Sequence, residues 1–336
     1  MPKKTEPKPF YRRIISDAWR IAWNHKHLWV FGFFATVAGF GGVTETLFSS
    51  SSNVNAFFPA VASGQPMTHT IPGLTTITAI LKYTSFPVLS LLIFLAISGL
   101  CTAIFLWLAY TSAGALTSSV RKIEHGGEPT PGDGLKTGAN AFWRVLGVNA
   151  LSQLFIFCGY VLTSTTLLVL LSDHTVTSAI FYVGTFIMFT ILVVAASIAA
   201  IYGTCFVTIK GEKKILTAVY AGWQLLLDHW LVTFEMAIAL FIASLVIGLS
   251  AVFVALVVSV PFIFMMLITT VLHLGPATFF ILMTASGVML ATIVCVGSFI
   301  TVFQVSAWTL LWSEMTERQP LAKIHRLAEK FSPHLV

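Results

Sequence analysis

The sequence predicts an all-α, polytopic membrane protein with six transmembrane helices arranged as three hairpins, each preceded by an interfacial amphipathic helix. The first observation behind this prediction is the composition. Hydrophobic residues make up 57% of the chain and charged residues 10%, and the mean hydropathy is +0.88. In soluble globular proteins about a quarter of the residues are charged. Lipid is therefore the expected solvent for most of the chain.

The second observation is the distribution of Lys and Arg. Of the 19 such residues, all but Lys82 fall into four clusters. The clusters lie at residues 3–26, 121–144, 210–214 and 318–330. Because short loops rich in Lys and Arg stay in the cytoplasm, each apolar stretch between two clusters should cross the bilayer an even number of times. This predicts a multi-pass protein of the bacterial cytoplasmic membrane with both termini inside.

The first predicted unit covers residues 10–120 and follows a disordered basic leader at residues 1–9. Phe10, Ile14 and Ala18 recur at helical spacing, which predicts an amphipathic helix on the inner face of the membrane. Residues 28–48 then form the first crossing, and residues 86–119 return. The segment between them, 49–81, contains no Lys or Arg and is predicted to be a long outer loop, either solvated or acting as a lid.

The second predicted unit covers residues 121–209 and consists of a cytoplasmic loop, a short lead-in helix and a hairpin. The lead-in lies at residues 136–144, and the two crossings, 145–171 and 179–209, are joined by a tight outer turn. Pro and Gly residues between 128 and 134 mark the preceding cytoplasmic loop.

The third predicted unit covers residues 210–313 and begins with an interfacial helix at 215–230. The apolar stretch that follows is long enough for three crossings, but three would place the basic C-terminal cluster outside. Two crossings, at about 231–260 and 277–313, are therefore preferred. Residues 261–274 would be re-entrant, interfacial or a kinked helix extension. Residues 314–336 are expected to form a cytoplasmic tail.

Tryptophans suggest that the three units are related. When Trp19, Trp143 and Trp223 are placed in register, each precedes an out-and-back hairpin. Units of one orientation can be related by an axis along the membrane normal. The alternative is that any three hairpins with cytoplasmic tryptophan anchors would show the same pattern.

Glu235 is a candidate functional residue because a carboxylate in hydrocarbon is unfavourable unless it is paired, protonated or hydrated. Arg144, at the inner end of the third crossing, is its predicted ion-pair partner. The pair would be either a structural contact or part of a substrate or proton site.

A polar stripe is the second candidate. Asn149, Gln153, Tyr160 and Ser164 are spaced by four, seven and four residues, so they lie near one helical face that we expect to point inward. The stripe would form either interhelical hydrogen bonds or a polar pathway. Gln304, together with Thr301 and Ser298 in the sixth crossing, could supply partners.

Enzyme motifs are missing from the sequence, which contains no HExxH, GxSxG or P-loop pattern. The four cysteines lie in apolar segments without CxxC spacing, which disfavours a zinc site or a disulfide framework. We therefore predict no catalysis, cofactor or metal. The basic residues flank apolar segments and do not alternate with aromatics on a polar face, so they favour anionic lipid headgroups over nucleic acid.

Five short stretches carry a resemblance to a known family: Tyr110 to Leu116, Phe142 to Arg144, Phe206 to Lys210, Ala218 to Trp223, and Trp308 to Trp312. In these the chain resembles uncharacterised bacterial six-helix membrane proteins related to the membrane domain of some glycerophosphoryl diester phosphodiesterases. The catalytic domain of those enzymes has no counterpart here, so the resemblance implies a fold and no activity. We expect a non-enzymatic scaffold, a partner subunit in a hetero- or homo-oligomer, or a lipid-interacting module. The alternative is a transporter of small solutes or lipids that uses the polar stripe and Glu235.

Overall fold

The computed structural model describes residues 10–37, 87–173, 176–272 and 275–318, and within these ranges every regular element is helical. The helices, numbered in chain order, are α1 Phe10–Asn24, α2 Leu28–Val37, α3 Pro87–Glu124, α4 Pro131–Asp173, α5 Val176–Thr208, α6 Ile215–Asp228, α7 Trp230–Val271 and α8 Gly275–Arg318. The predicted all-α class is confirmed for this part of the chain.

Among the described helices, five are long and apolar enough to cross a membrane: α3, α4, α5, α7 and α8. Each is at least 33 residues long, whereas a perpendicular crossing needs about 20. The chain is therefore a multi-pass membrane protein. The first predicted crossing is described only over the ten residues of α2. The predicted leader 1–9, the outer loop 49–81 and most of the tail lie outside the described residues.

One predicted boundary differs from the structure. The lead-in at residues 136–144 is not a separate helix, because α4 runs without interruption from Pro131 to Asp173. α7 continues through Pro261 to Val271. Of the three alternatives for residues 261–274, the helix extension is therefore the one that agrees with the described part of this segment.

Burial divides the molecule into two parts. We call the first part the base: it comprises α1, α2, α6, the opening turns of α4 and α7, and residues 109–124, 196–208 and 298–317 of the other long helices. Most residues of the last three ranges are buried. We call the second part the arms: residues 88–107, 151–168 with 176–195, and 248–271 with 276–297. Arm side chains are mostly exposed, except where the two helices of one hairpin face each other.

Close approach through small residues holds the base together. A Cβ added to Gly138 of α4 would collide with the carbonyl oxygen of Thr111 in α3. A Cβ on Gly222 of α6 would lie 2.6 Å from the Ala199 oxygen of α5, and one on Gly32 of α2 would lie 2.6 Å from the Ser298 oxygen of α8. Lipid supplies little hydrophobic drive for helix association, so backbone contacts of this kind carry much of the packing.

The short amphipathic segments pack in a closed cycle. The start of α4 packs on α3, and α6 packs on α5, which in each case is the long helix just before it in the chain. α1 instead packs on α8, where the rings of Trp19 and Phe299 meet edge to face at 5.0 Å. Each segment thus covers the closing helix of one predicted unit. This arrangement agrees with the threefold repeat predicted from the tryptophan register.

Candidate functional site

Arg144 holds a loop of the base. Its guanidinium donates to the carbonyl oxygens of Glu212 at 3.2 Å and Gly211 at 3.4 Å, and also to Asn140 in its own helix. These bonds fasten the α5–α6 connection, where Gly211 has a positive φ of 71°. The structure describes both Arg144 and Glu235, and no ion pair joins them. Glu235 lies half-buried on α7.

The predicted polar stripe does not point inward as a whole. Asn149 does: it is buried, and its amide donates to the oxygen of Val145 at 2.8 Å and to the hydroxyl of Thr204 at 3.4 Å. Gln153, Tyr160 and Ser164 are exposed. The expectation of an inward polar stripe is therefore wrong for these three residues.

The physical reason is the position of the face that α4 buries beyond Asn149. That face consists of Ser152, Ile156 and Gly159. It packs on α5, and a Cβ on Gly159 would lie 2.8 Å from the Phe189 ring. Asn149 lies at the border between this buried face and the predicted polar stripe. Its burial therefore does not extend to the other stripe residues.

Gln304 was predicted to supply a hydrogen-bond partner for the α4 stripe; it is buried in the base, and its partner lies on α7. Its Nε2 donates to Ser244 Oγ of α7 at 2.9 Å, while its Oε1 is buried and has no hydrogen-bond partner in the described part of the chain. Thr301 bonds Thr36 of α2 at 2.7 Å. The sixth-crossing polar residues therefore connect α8 to α7 and α2, and α4 receives none of these bonds.

Hydroxyl pairs join further helices of the base. The Tyr202 hydroxyl on α5 lies 3.1 Å from that of Thr233 on α7, and Thr117 on α3 lies 3.0 Å from Thr208 on α5. Together with the Gln304–Ser244 bond, these contacts fasten long helices of the base to one another.

Charged side chains add a network across α1, α3 and α8. Arg13 pairs with Glu314, and Arg121 donates to both Glu317 and Ser313. Arg121 also pairs with Glu124 at 2.8 Å. Sequence reasoning missed this network because its partners are far apart in the chain. The one available signal was that the first two basic clusters and the C-terminal cluster were all predicted to be cytoplasmic.

A polar cleft of about 360 Å³ opens beside this network. It is lined by Ser118, Arg121, Lys122, His125, Gly127, Thr208 and Ile209. Its two formal cations already have carboxylate partners, since Arg121 binds Glu124 and Glu317, and Lys122 binds Asp133 at 3.1 Å. The cleft therefore offers hydroxyls and compensated charge, with little surplus attraction for an anion.

Metal-ligand side chains do not gather in the described part of the chain. Within it, no group of three or more His, Cys, Asp or Glu residues is close enough to hold an ion. His25 and His27 lie with ring centroids 5.8 Å apart at the α1–α2 turn, but two imidazoles alone leave most of a metal's coordination sphere unfilled.

The predicted site residues thus occupy three separate environments: Arg144 on a loop, Asn149 and Gln304 inside the base, and Gln153 with Tyr160 on the outside of an arm. Comparison of the chain with protein-family models, curated proteins and solved structures gives no match. The resemblance to the phosphodiesterase membrane domain therefore stays a prediction.

Proposed function

We propose that this protein is a non-enzymatic, six-crossing scaffold of the bacterial cytoplasmic membrane. Its base lies at the cytoplasmic face and holds three apolar arms apart in the bilayer, where they meet lipid and partner helices. The observation that carries the proposal is the division between base and arms. All inter-unit polar contacts described above lie in the base, while the arms contain no Lys, Arg, Asp or Glu.

The charge distribution supports the orientation. Arg13, Arg121, Lys122 and Arg144 all lie in the base or on its loops. Short loops with such residues stay cytoplasmic. The uncharged arms match the hydrocarbon layer, where an ionised group is strongly disfavoured.

Exposed tryptophans support contact between the base and lipid headgroups. Trp19, Trp23, Trp143 and Trp230 are all exposed on base segments. Indole rings favour the membrane–water interface, where an apolar ring and an N–H donor are both accommodated. Membrane lipids, including anionic headgroups attracted by the basic residues, are the proposed partners of this surface.

The dispersal of the intramembrane polar groups also favours a scaffold. A transport pathway needs polar side chains that converge on one cavity near the midplane. Gln304 instead bonds Ser244 inside the base, while Gln153 faces away from α5 on an arm. These two amides do not share a cavity, as a route between them would require.

A transporter of small solutes or lipids is the second candidate, and one observation favours it. The Oε1 atom of Gln304 is buried without a hydrogen-bond partner in the described part of the chain. A buried acceptor of this kind attracts a water molecule or a polar solute. The two candidates therefore differ in whether the surroundings of Gln304 are hydrated.

Thiol labelling in membrane vesicles tests the choice. In a chain whose four cysteines are replaced by alanine, Ser244→Cys and Gln304→Cys are each treated with a membrane-impermeant maleimide from either side. The scaffold predicts no labelling at either position, because both side chains are buried in a dry base. Labelling at position 304 would favour the transporter.

His125→Cys is the control for orientation. His125 is exposed at the end of α3, and the proposed topology predicts that it is labelled only from the cytoplasmic side. Labelling from the outside would contradict the topology whatever the result at positions 244 and 304.

A further inference from the structure

The arm part of α4 exposes a second face with a regular spacing. We call it the α4 seam: Ala150, Gln153, Phe157, Tyr160 and Ser164, separated by alternating steps of three and four residues. All five are exposed, Phe157 at 63% and Tyr160 at 45%. Alternating steps of three and four are the heptad pattern by which helices pack side by side in left-handed pairs.

The α4 seam is separate from the face that α4 uses within its own chain. The intramolecular face contains Ser152, Ile156 and Gly159, and it packs on α5. On a helix turning 100° per residue, the centres of the two faces are about a third of a turn apart. The arm of α4 can therefore bind a second helix without leaving α5.

Polar groups on the α4 seam have no hydrogen-bond partner in the described part of the chain. Gln153, Tyr160 and Ser164 make no side-chain hydrogen bond in the described part of the structure, whereas nearby Thr163 and Thr165 donate to carbonyl oxygens of their own helix. In hydrocarbon an unsatisfied amide or hydroxyl is unfavourable by several kcal/mol. Gln153 lies about 13 Å along the helix from Arg144, at 1.5 Å per residue, and hence well inside the hydrocarbon layer.

We propose that two copies of this chain associate through the α4 seam as a parallel, twofold-symmetric dimer. The inference rests on the proposed function in one respect, namely that all copies share one orientation in the membrane. The two α4 helices then run parallel, and Gln153 of one copy meets Gln153 of the other at the same depth. A twofold interface pairs each residue with the same surface of the partner.

Gln153 suits such an interface because a primary amide both donates and accepts hydrogen bonds. Two copies can satisfy each other, which acyl chains cannot do. A buried amide at one seam position also fixes the register of a helix pair. Ala150 and Ser164 are small, so the helices can approach closely at both ends of the seam.

Cysteine cross-linking in native membranes tests the interface. In the cysteine-free chain, Phe157→Cys and Tyr160→Cys place thiols on the seam, while Phe155→Cys and Leu162→Cys place them on the opposite side of α4. The control positions are matched in exposure, at 47% and 48%. A disulfide needs Cβ atoms about 4 Å apart, so oxidation should give at least about tenfold more dimer from the seam positions.

Gln153→Leu tests the role of the amide. The expected result is a dissociation constant in lipid vesicles that is about 3- to 30-fold higher, because a hydrogen bond between membrane helices contributes a free energy of that size. Energy transfer between labelled copies, followed as lipid is added, measures the dissociation. Thr165→Val is the matched control. It also removes a polar group from the exposed arm, but its hydroxyl already donates to Val161 at 2.7 Å and lies off the seam. This control should leave dissociation unchanged.

Several outcomes would overturn the proposal: no dimer at the seam positions, equal dimer at positions 155 and 162, or a product whose mass shows that seam thiols join a different protein. These outcomes are distinct from a failure of the proposed function. The side on which His125→Cys is labelled reports the topology independently, and a scaffold that remains a monomer would fail only the cross-linking test.

Discussion

Long helices run through both the base and the arms, yet only the base packs them into a common core. Glycine alone does not explain this difference. Gly99, Gly248 and Gly287 lie in arms and have nothing within 4 Å of an added Cβ, whereas Gly138 and Gly222 of the base touch a neighbouring backbone. The base also carries hydroxyl, amide and ionic contacts between helices. In lipid, apolar surfaces gain little from leaving their solvent, so helices associate where small residues and polar pairs occur together.

The largest expected effect comes from filling the closest contact in the base. Gly138→Leu should destabilise the protein by about 3 kcal/mol or more, because its side chain meets the Thr111 carbonyl and cannot relax past backbone. Gly248→Leu is the control, since an added Cβ there meets nothing within 4 Å. The midpoint of thermal unfolding in detergent reports the stability of both variants. Equal losses would show that the arms are packed as well.

Removing one charge from the base should have an intermediate effect. Arg121→Gln removes the guanidinium that donates to Glu317 and Ser313 at the junction of α3 and α8. We expect a loss of about 1–2 kcal/mol, because the Arg121 side chain is only 19% exposed and hydrogen bonds to charged groups are worth about 1.5–3 kcal/mol. The same thermal measurement serves here.

The control for this change is Lys122→Gln, which removes the neighbouring exposed pair with Asp133. Pairs in open solvent contribute little, so no resolvable change is expected. A larger loss from Lys122→Gln than from Arg121→Gln would show that burial does not decide the strength of these ion pairs.

The smallest expected effect concerns pH at the α1–α2 turn of the base. Burial, and to a lesser degree the nearby His25, hold the pKa of His27 below its ordinary value of 6.5. The folded protein therefore favours neutral His27. Its contribution to stability is complete above pH 6.5 and is lost as the pH falls from 6.5 to the folded-state pKa.

His27→Gln should remove this pH dependence, because glutamine does not titrate. The thermal midpoint measured between pH 7.5 and 5 compares the two proteins. Parallel curves would mean that some other group carries the acid sensitivity of the base.

Much of the fold was predictable from local patterns in the sequence, because the formation of an amphipathic or apolar helix depends on residues that are close together in the chain. The apolar spacing of Phe10, Ile14 and Ala18 predicted α1, and α1 buries Ile14 and Ala18. The uncharged stretches predicted long helices, and five such helices occur in the described residues. The basic clusters marked the ends of the units, although the sidedness they imply remains a prediction.

The candidate site was harder to predict because it depends on contacts between distant residues. Spacing placed Gln153 and Tyr160 on one face, but only the packing of Gly159 on Phe189 determines that this face is outside. Arg144 was paired with Glu235 on charge alone. In the structure it binds Glu212 and Gly211, because the packing of α6 on α5 brings that loop within reach.

The cyclic packing of the amphipathic segments has a consequence for biosynthesis. As the chain emerges from the ribosome, the start of α4 and α6 each follow a helix that is already made, so each can dock at once. α1 is made before the other described helices, and its binding surface on α8 is made long after it. Until then the apolar side of α1, with Ile14 and Ala18, must be held by the membrane surface or a chaperone. Docking of α1 is therefore a late step in assembly, and it completes the base.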